Sequence, residues 1–355
     1  MVLCDNKLWQ EDIEKVLSCL DLSDMAGCRL MVTGCTGLIC SSVVDTMIRW
    51  NAYHDEKIII YAVSRNVDGV KERFKPYSEE WWFETDRYDA IQPIDSLRTD
   101  CDYIIHGAGN ASPRNIIREP VETMLANING LKNLLDYTRV NKAKRLLYIS
   151  SSEVYGRRDD VAPFGINDYG YIDILDPRSS YSSAKRAGET LCVSYKDEYE
   201  VDSVIVRPGH IYGPTAKESD NRVSSVWAYA AARGQNIVMK SDGSQIRSYC
   251  YVVDAASAIL KVLLSGKSGC AYNISNPTSV ISIKDMAEMM AQAGGVNIRY
   301  DIPSDKEKKG FNPMQNSSLD SKELNDLNWE GRFNAKEGIE HTISILREGL
   351  TGFMG

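Results

Sequence analysis

A short apolar run, Arg29 to Thr33, leads straight into Gly34, Cys35, Thr36 and Gly37, and then into an apolar-periodic stretch from Val43 to Trp50. Strand, glycine turn and helix in that order open a Rossmann unit, the first βα step of a doubly wound parallel sheet. Gly34 permits the tight turn. Gly37 lets the backbone approach a pyrophosphate at the helix N-terminus, where N–H groups and the positive dipole end favour an anion. The third glycine usual in such turns is Cys40 here. Cysteine is small and readily buried, so helix and strand stay close. Glycines at these places can also serve geometry alone, so a second sign is needed.

Tyr181 and Lys185 supply it. A Tyr and a Lys at this spacing lie one turn apart on one helix face. Lys185 as an ammonium is expected to lower the phenol's pKa, making Tyr181 a base near neutral pH. Upstream lies the run Ser150, Ser151, Ser152, Glu153. A serine hydroxyl there would hold a substrate alcohol against the phenolate. Such a pair moves a proton while hydride moves to or from a nicotinamide.

With these residues in place, the chain resembles the extended short-chain dehydrogenase/reductase superfamily, and within it the nucleotide-sugar epimerases, dehydratases and decarboxylases. Six landmarks follow the family's order from Arg29 to about residue 345. They are the turn at Gly34 and Gly37; His106 to Gly109; Tyr148 to Gly156; Tyr181 with Lys185; Arg207 to Pro214; and Arg247 to Asp254. The resemblance implies cofactor contacts for Thr36, Leu38, Ile39, Asn127, Ser150 and Pro208 beside the glycines, Tyr181 and Lys185. Gly107, Ala108 and Gly109 are small enough for close approach to that cofactor, and Asp89 and Ala90 would flank the adenine. The second strand, Lys57 to Val63, ends in Ser64 and Arg65 without the acid that would bind ribose hydroxyls. Arg65 can meet the 2′-phosphate of NADP, stack on adenine or face solvent. NAD and NADP both remain open, and the resemblance favours NAD.

Net charge is −8, which excludes nucleic acid and anionic membrane as main partners. No run is apolar enough to span a bilayer, and Asp5, Glu11, Asp12 and Glu14 interrupt any leader-like start. Nine cysteines without paired spacing point to reduced thiols in a cytoplasmic protein, and four scattered histidines offer no metal site.

Along the chain we expect a helical extension over 1–28, with an amphipathic helix at 8–26 acting as a packing or dimer element. The dinucleotide domain spans 29–214. A smaller substrate lobe spans 215–350 and exchanges segments with the first domain. Residues 76–100 read as less regular and aromatic-rich, with Trp81, Trp82 and Phe83. Helices are expected at 121–140, 179–198, 222–234, 254–264 and 283–293, and the chain end, Thr351 to Gly355, as loose. Following the resemblance, the helices at 121–140 and 180–198 would form a homodimeric four-helix bundle through Leu125, Leu131, Leu134 and Leu135.

The resemblance implies oxidation of a nucleotide-diphosphate sugar at C4, and the reaction then divides on the groups near Tyr181. Ser152 stands where one dehydratase subgroup has Asp. Glu153 stands where simple epimerases have a small apolar residue. Glu153 reads as a base whose pKa burial would raise, or else as a cap or salt-bridge residue. Three segments tilt the reading to a decarboxylase of UDP-glucuronate: Ala111 to Asn115 with Glu119 and Pro120, Asp176 to Cys192, and Asp220 to Ser225. Arg247 would fork onto the diphosphate. Arg222 is a phosphate candidate, Arg114 a carboxylate candidate, and Ser112, Ser152 and His210 further sugar contacts. His210 replaces a common Asn, and Ile116 and Ile117 stand where decarboxylases carry a Tyr. A 4,6-dehydratase, a 4-epimerase and an inactive dinucleotide-binding regulator therefore stay as alternatives.

Overall fold

The computed structural model describes residues 3–94, 97–109, 111–160, 162–301 and 314–351. Its frame is built by short apolar strands alternating with helices. In chain order the first half runs α1 (Lys7–Leu17), β1 (Arg29–Thr33), α2 (Leu38–Tyr53), β2 (Ile59–Ser64), α3 (Val67–Arg73), β3 (Phe83–Arg87), β4 (Tyr103–His106), α4 (Pro113–Arg118), α5 (Pro120–Asn141), β5 (Arg145–Ile149), α6 (Ser180–Tyr199) and β6 (Ser203–Pro208). The second half holds β7 (His210–Tyr212), α7 (Val223–Ala232), β8 (Ile237–Met239), β9 (Ile246–Tyr251), α8 (Val252–Ser265), β10 (Ala271–Ile274), β11 (Val280–Ser282), α9 (Ile283–Gly294), β12 (Ile298–Tyr300), β13 (Asn316–Ser317), α10 (Lys322–Asn325) and α11 (Ala335–Thr351).

Seven strands form one sheet in the order β10-β6-β5-β4-β1-β2-β3, and every pair in it is parallel. Parallel strands are covered on both faces, which is why they read as apolar runs. On one face pack α1, α2 and α8, through Trp9, Val43, Met47, Ile259 and Leu263. On the other pack α5 and α6, through Leu131, Leu134, Leu135 and Cys192. The expected doubly wound architecture is what forms. Its edge strand β10, and the helix α8 that covers the sheet, come from the segment expected to build the second lobe. Beyond the sheet, β9 carries β7 and β13 in parallel and β11 antiparallel, and β12 pairs with β8.

Three expectations change. The first helix stops at Leu17 rather than reaching 26. Beyond it Asp21 accepts from the Ser23 N–H, the kind of local bond that competes with a helix, and a 3-10 turn covers Ser23–Met25. Trp9, Ile13 and Val16 of α1 are buried in their own protomer, so its role is packing. Residues 76–100 are not all irregular. β3 pairs with β2, and its polar sequence with a half-exposed pattern suits a sheet edge. At the chain end α11 runs to Thr351, and residues 352–355 lie outside the described residues.

Candidate active site

β1 ends at Thr33, whose hydroxyl accepts from the N–H groups of Gly107 and Ala108 at 3.2 and 3.1 Å. That ties the glycine turn to the end of β4. Gly34 has φ +70°, and a Cβ there would lie 2.8 Å from the Gly107 carbonyl oxygen. Only glycine serves. The Gly37 N–H closes the turn onto the Gly34 carbonyl at 2.8 Å, and Gly37 caps α2 with no side-chain hydrogen bond. The N-terminus of this long helix, at Leu38 and Ile39, is thus left to a ligand or solvent. Cys40 does replace the missing glycine by packing: a Cβ on Gly107 would lie 2.3 Å from its sulfur. Burial pushes its thiol up to about 12, so it is inert filler.

Around this turn the other cofactor candidates are spread as follows. Arg65 is exposed just beyond β2. The Asp89 carboxylate accepts from the Ile91 N–H at 3.3 Å. Ala90 packs on Gly130 of α5, where a Cβ would come within 2.8 Å of it. Asn127 is fully buried and donates to the Thr123 carbonyl. Its Oδ1 has no partner among the described residues, and a Cβ on Gly109 would sit 2.9 Å from it. Pro208 ends β6 at the same edge of the sheet. An uncapped helix start, an unpartnered buried amide oxygen and glycines that side chains would fill together fit a dinucleotide. Sequence reading missed Lys217, whose ammonium reaches the Thr36 hydroxyl at 3.4 Å and brings a positive charge to the turn. Nothing in its own neighbourhood in sequence signals that approach.

Tyr181 and Lys185 lie in the first turns of α6, both buried. Lys185 donates to the Ile149 carbonyl at 2.7 Å and stands 5.7 Å from the centre of the Tyr181 ring. The electrostatics differ from expectation. Burial pushes the Tyr181 phenol up to about 12, and Glu153 adds to this, while Ser151, Arg222 and Arg178 pull it down. Burial also draws Lys185 down to about 7, so its ammonium is only partly present at neutral pH. In the protein alone, desolvation outweighs the pull of Ser151, Arg222 and Arg178.

The serine run divides its work. Ser150 donates to Glu189 at 2.6 Å, so its hydroxyl faces the protein interior. Ser151 lies close enough to the Tyr181 hydroxyl to lower its pKa, and it accepts from the Glu153 N–H at 3.2 Å, starting the 3-10 turn Ser152–Tyr155. Ser152 lies half-buried in that turn. Behind the run is a network that sequence reading did not find. Glu189 takes two bonds from Arg207, at 2.9 and 2.6 Å, and Arg207 also donates to the hydroxyls of Tyr155 and Tyr169. Two signals were available. Glu189 falls one turn beyond Lys185 on the same helix face, and Arg207 is a charge in an otherwise apolar strand, which demands a partner.

Glu153 is not the buried carboxylate that was expected. Arg178 holds both its oxygens, at 3.0 and 2.8 Å, and the two side chains are 40 % and 37 % exposed. At that exposure the pair contributes only ~0–1 kcal/mol to stability.

The remaining cations converge on the same cleft. Arg247 is 3 % exposed and donates to the carbonyls of Ile246 and Met314, with no carboxylate partner among the described residues. His210 is open to solvent yet walled by protein, as a residue lining a cleft is. That crowding, with Arg247 and Arg222 nearby, lowers it to about 4 and keeps it neutral. Arg222, expected to reach phosphate, is paired with Asp220. Ser112 donates to Asn221 at 3.1 Å, joining the loop before α4 to the loop before α7. Arg114, the carboxylate candidate, is exposed, whereas Arg178 stands beside Tyr181.

Residues 30–275 match the NAD dependent epimerase/dehydratase family. UDP-glucuronic acid decarboxylase 6 of Arabidopsis thaliana is 30 % identical over 314 residues, 88 % of this chain and 86 % of that protein. A dTDP-glucose 4,6-dehydratase from Streptomyces venezuelae, solved with NAD bound, superposes with TM-score 0.77 at 21 % identity, covering 91 % of this chain and 98 % of that one. UDP-glucuronic acid 4-epimerase from Bacillus cereus gives 0.75 at 20 % identity over 90 % and 99 %.

Proposed function

Because the chain belongs to the NAD dependent epimerase/dehydratase family, with NAD as its cofactor, we propose that it decarboxylates UDP-glucuronate to UDP-xylose. The observation that carries the reading is Arg247: a buried guanidinium without a carboxylate partner among the described residues, in the cleft that Arg222 and His210 connect to Tyr181. A buried cation calls for an anion, and a sugar diphosphate brings one. The extended similarity to a UDP-glucuronic acid decarboxylase supports the choice of UDP-glucuronate.

NAD supplies the acceptor, and later the donor, of a hydride. Tyr181 takes the proton from the sugar's C4 hydroxyl, which Ser151 holds in place. Arg222 and Arg178 favour the phenolate that results. A ketone at C4 makes the C6 carboxylate a β-keto acid, which loses CO₂ without a strong catalyst. Tyr181 then returns its proton. Lys217 and the N-terminus of α2 hold the cofactor's diphosphate. Glu153 relays a proton from water to C5, where loss of CO₂ leaves an enolate. Its engagement with Arg178 favours a second reading, a 4-epimerase, in which no such proton relay is needed. We also propose a cytoplasmic homodimer. All nine cysteines are unpaired, and no described helix is long and apolar enough to cross a membrane.

The test is incubation of the protein with UDP-glucuronate, UDP-glucose, GDP-mannose and dTDP-glucose, with products read by mass. Loss of CO₂ from UDP-glucuronate is the expected result. Loss of water, or an isomer of unchanged mass, moves the reading to dehydratase or epimerase. Retained NAD with no turnover on any of them leaves an inactive binder.

A further inference from the structure

Arg178 sits in the segment leading into α6, at the 3-10 turn Pro177–Ser179 that the Asp176 side chain caps. Its guanidinium fork is turned onto Glu153, with one nitrogen to each carboxylate oxygen, at 3.0 and 2.8 Å. Two-point binding of this kind is how arginine recognises a carboxylate wherever it comes from. The partner here is the side chain that the proposed chemistry needs as a proton relay to C5, and a carboxylate gripped at both oxygens is badly placed to take up a proton and pass it on. Both groups act on the Tyr181 phenol, in opposite directions. The pair therefore lies at the reacting end of the cleft, not at its diphosphate end.

We propose that Arg178 is the receptor for the C6 carboxylate of the sugar, and that Glu153 occupies it until the sugar arrives. This rests on the reading that the substrate is a sugar acid. One carboxylate replaces another on the same fork, so no bond is made or broken and the cleft's charge changes only by that of the ligand. The exchange costs little, because the incoming carboxylate makes the same two bonds to the fork that Glu153 gives up. Once displaced, Glu153 is free to carry a proton from water to C5 after CO₂ leaves, so the relay becomes available only when a carboxylated sugar is bound. Neutral sugars cannot displace it. Arg247, deep in the cleft with no carboxylate of its own among the described residues, is left for the diphosphate.

The experiment uses the full chain loaded with NAD, with Tyr181→Phe as background to stop turnover, and titration calorimetry with UDP-glucuronate and UDP-xylose. These ligands differ by the carboxylate alone. Arg178→Gln is expected to weaken UDP-glucuronate by roughly 10- to 100-fold and UDP-xylose by less than about 2-fold. Glu153→Gln, which removes the competing carboxylate, is expected to tighten UDP-glucuronate and leave UDP-xylose unchanged. A merely structural pair would weaken both ligands alike in either variant, and that result overturns the proposal. So does undiminished preference for UDP-glucuronate in Arg178→Gln. Should Arg178→Gln fail to fold, Glu153→Gln decides alone: no tightening defeats the idea. If the unmodified protein releases no CO₂ from UDP-glucuronate and does not prefer it over UDP-xylose, the sugar-acid reading itself falls. If it does both and only the Arg178 result fails, that reading stands and this assignment goes.

Discussion

At the scale of single residues, the site is a contest between burial and charge. Tyr181 is the clearest case, since burial alone would leave its phenol protonated at any physiological pH. Its value as a base must come from what surrounds it, and Tyr181→Phe removes the proton carrier while keeping the ring. We expect turnover to fall by about 10²–10⁴-fold with ligand affinity nearly unchanged, as read by steady-state kinetics beside calorimetry. Normal turnover in that variant would remove Tyr181 from the mechanism. Arg207 and Glu189 pose a different case. The pair is buried, at 2 % and 11 % side-chain exposure, and Ser150 hangs from it. Breaking one partner strands the other's charge in the interior. Arg207→Leu should therefore lower unfolding free energy by about 3–5 kcal/mol in a denaturant titration. Arg207→Leu with Glu189→Leu should recover part of that loss. An additive double variant would show that the pair is not coupled.

At the scale of elements, legibility followed burial. β1, α2, α5 and α6 were readable because each is an apolar run or carries an apolar stripe. β3 was not, because Phe83 is its only fully buried residue and an edge strand carries little hydrophobic signal. The end of α1 was missed because Leu20, Leu22 and Met25 extend the apolar pattern through a 3-10 turn. Within the site, Tyr181, Lys185 and Ser151 were legible through spacing. The engagement of Glu153 by Arg178 and the reach of Lys217 to Thr36 were not, since each joins residues from separate loops. Another long-range contact fixes α1. Asp12 accepts from the Tyr251 hydroxyl and meets His341 of α11, both at 2.7 Å. The Asp12 hydrogen bond raises the His341 pKa above the ordinary 6.5. A raised histidine stabilises the fold fully below its unfolded pKa, and that contribution is lost as pH rises through the folded value. His341→Gln should thus cost roughly 1–3 kcal/mol near pH 6 and clearly less near pH 9, followed by thermal unfolding at both. An equal cost at the two pH values would show that His341 acts by packing alone.

At the scale of the whole molecule, the question is what covers the outer face of α5 and α6. Of the leucines expected there, Leu131, Leu134 and Leu135 are fully buried against their own sheet, so they cannot face a second copy. The fourth, Leu125, is 44 % exposed, and Val121 and Met124 beside it on α5 are exposed at 62 % and 38 %. The three share one helix face by their spacing. Single exposed apolar side chains need no partner, but three grouped on one helix face suit a two-fold contact, in which the same face meets itself. We expect light scattering at micromolar concentration to give the mass of a dimer, and Met124→Glu with Leu125→Glu to give a monomer that keeps its fold. Charge supplies a further check. Each chain carries −8, so two copies repel, and the contact must offset that repulsion. Moderate salt screens that repulsion and should tighten the dimer, whereas an interface built on ion pairs would loosen. A monomeric mass in both low and moderate salt would leave this face without a partner and remove the dimer from the account.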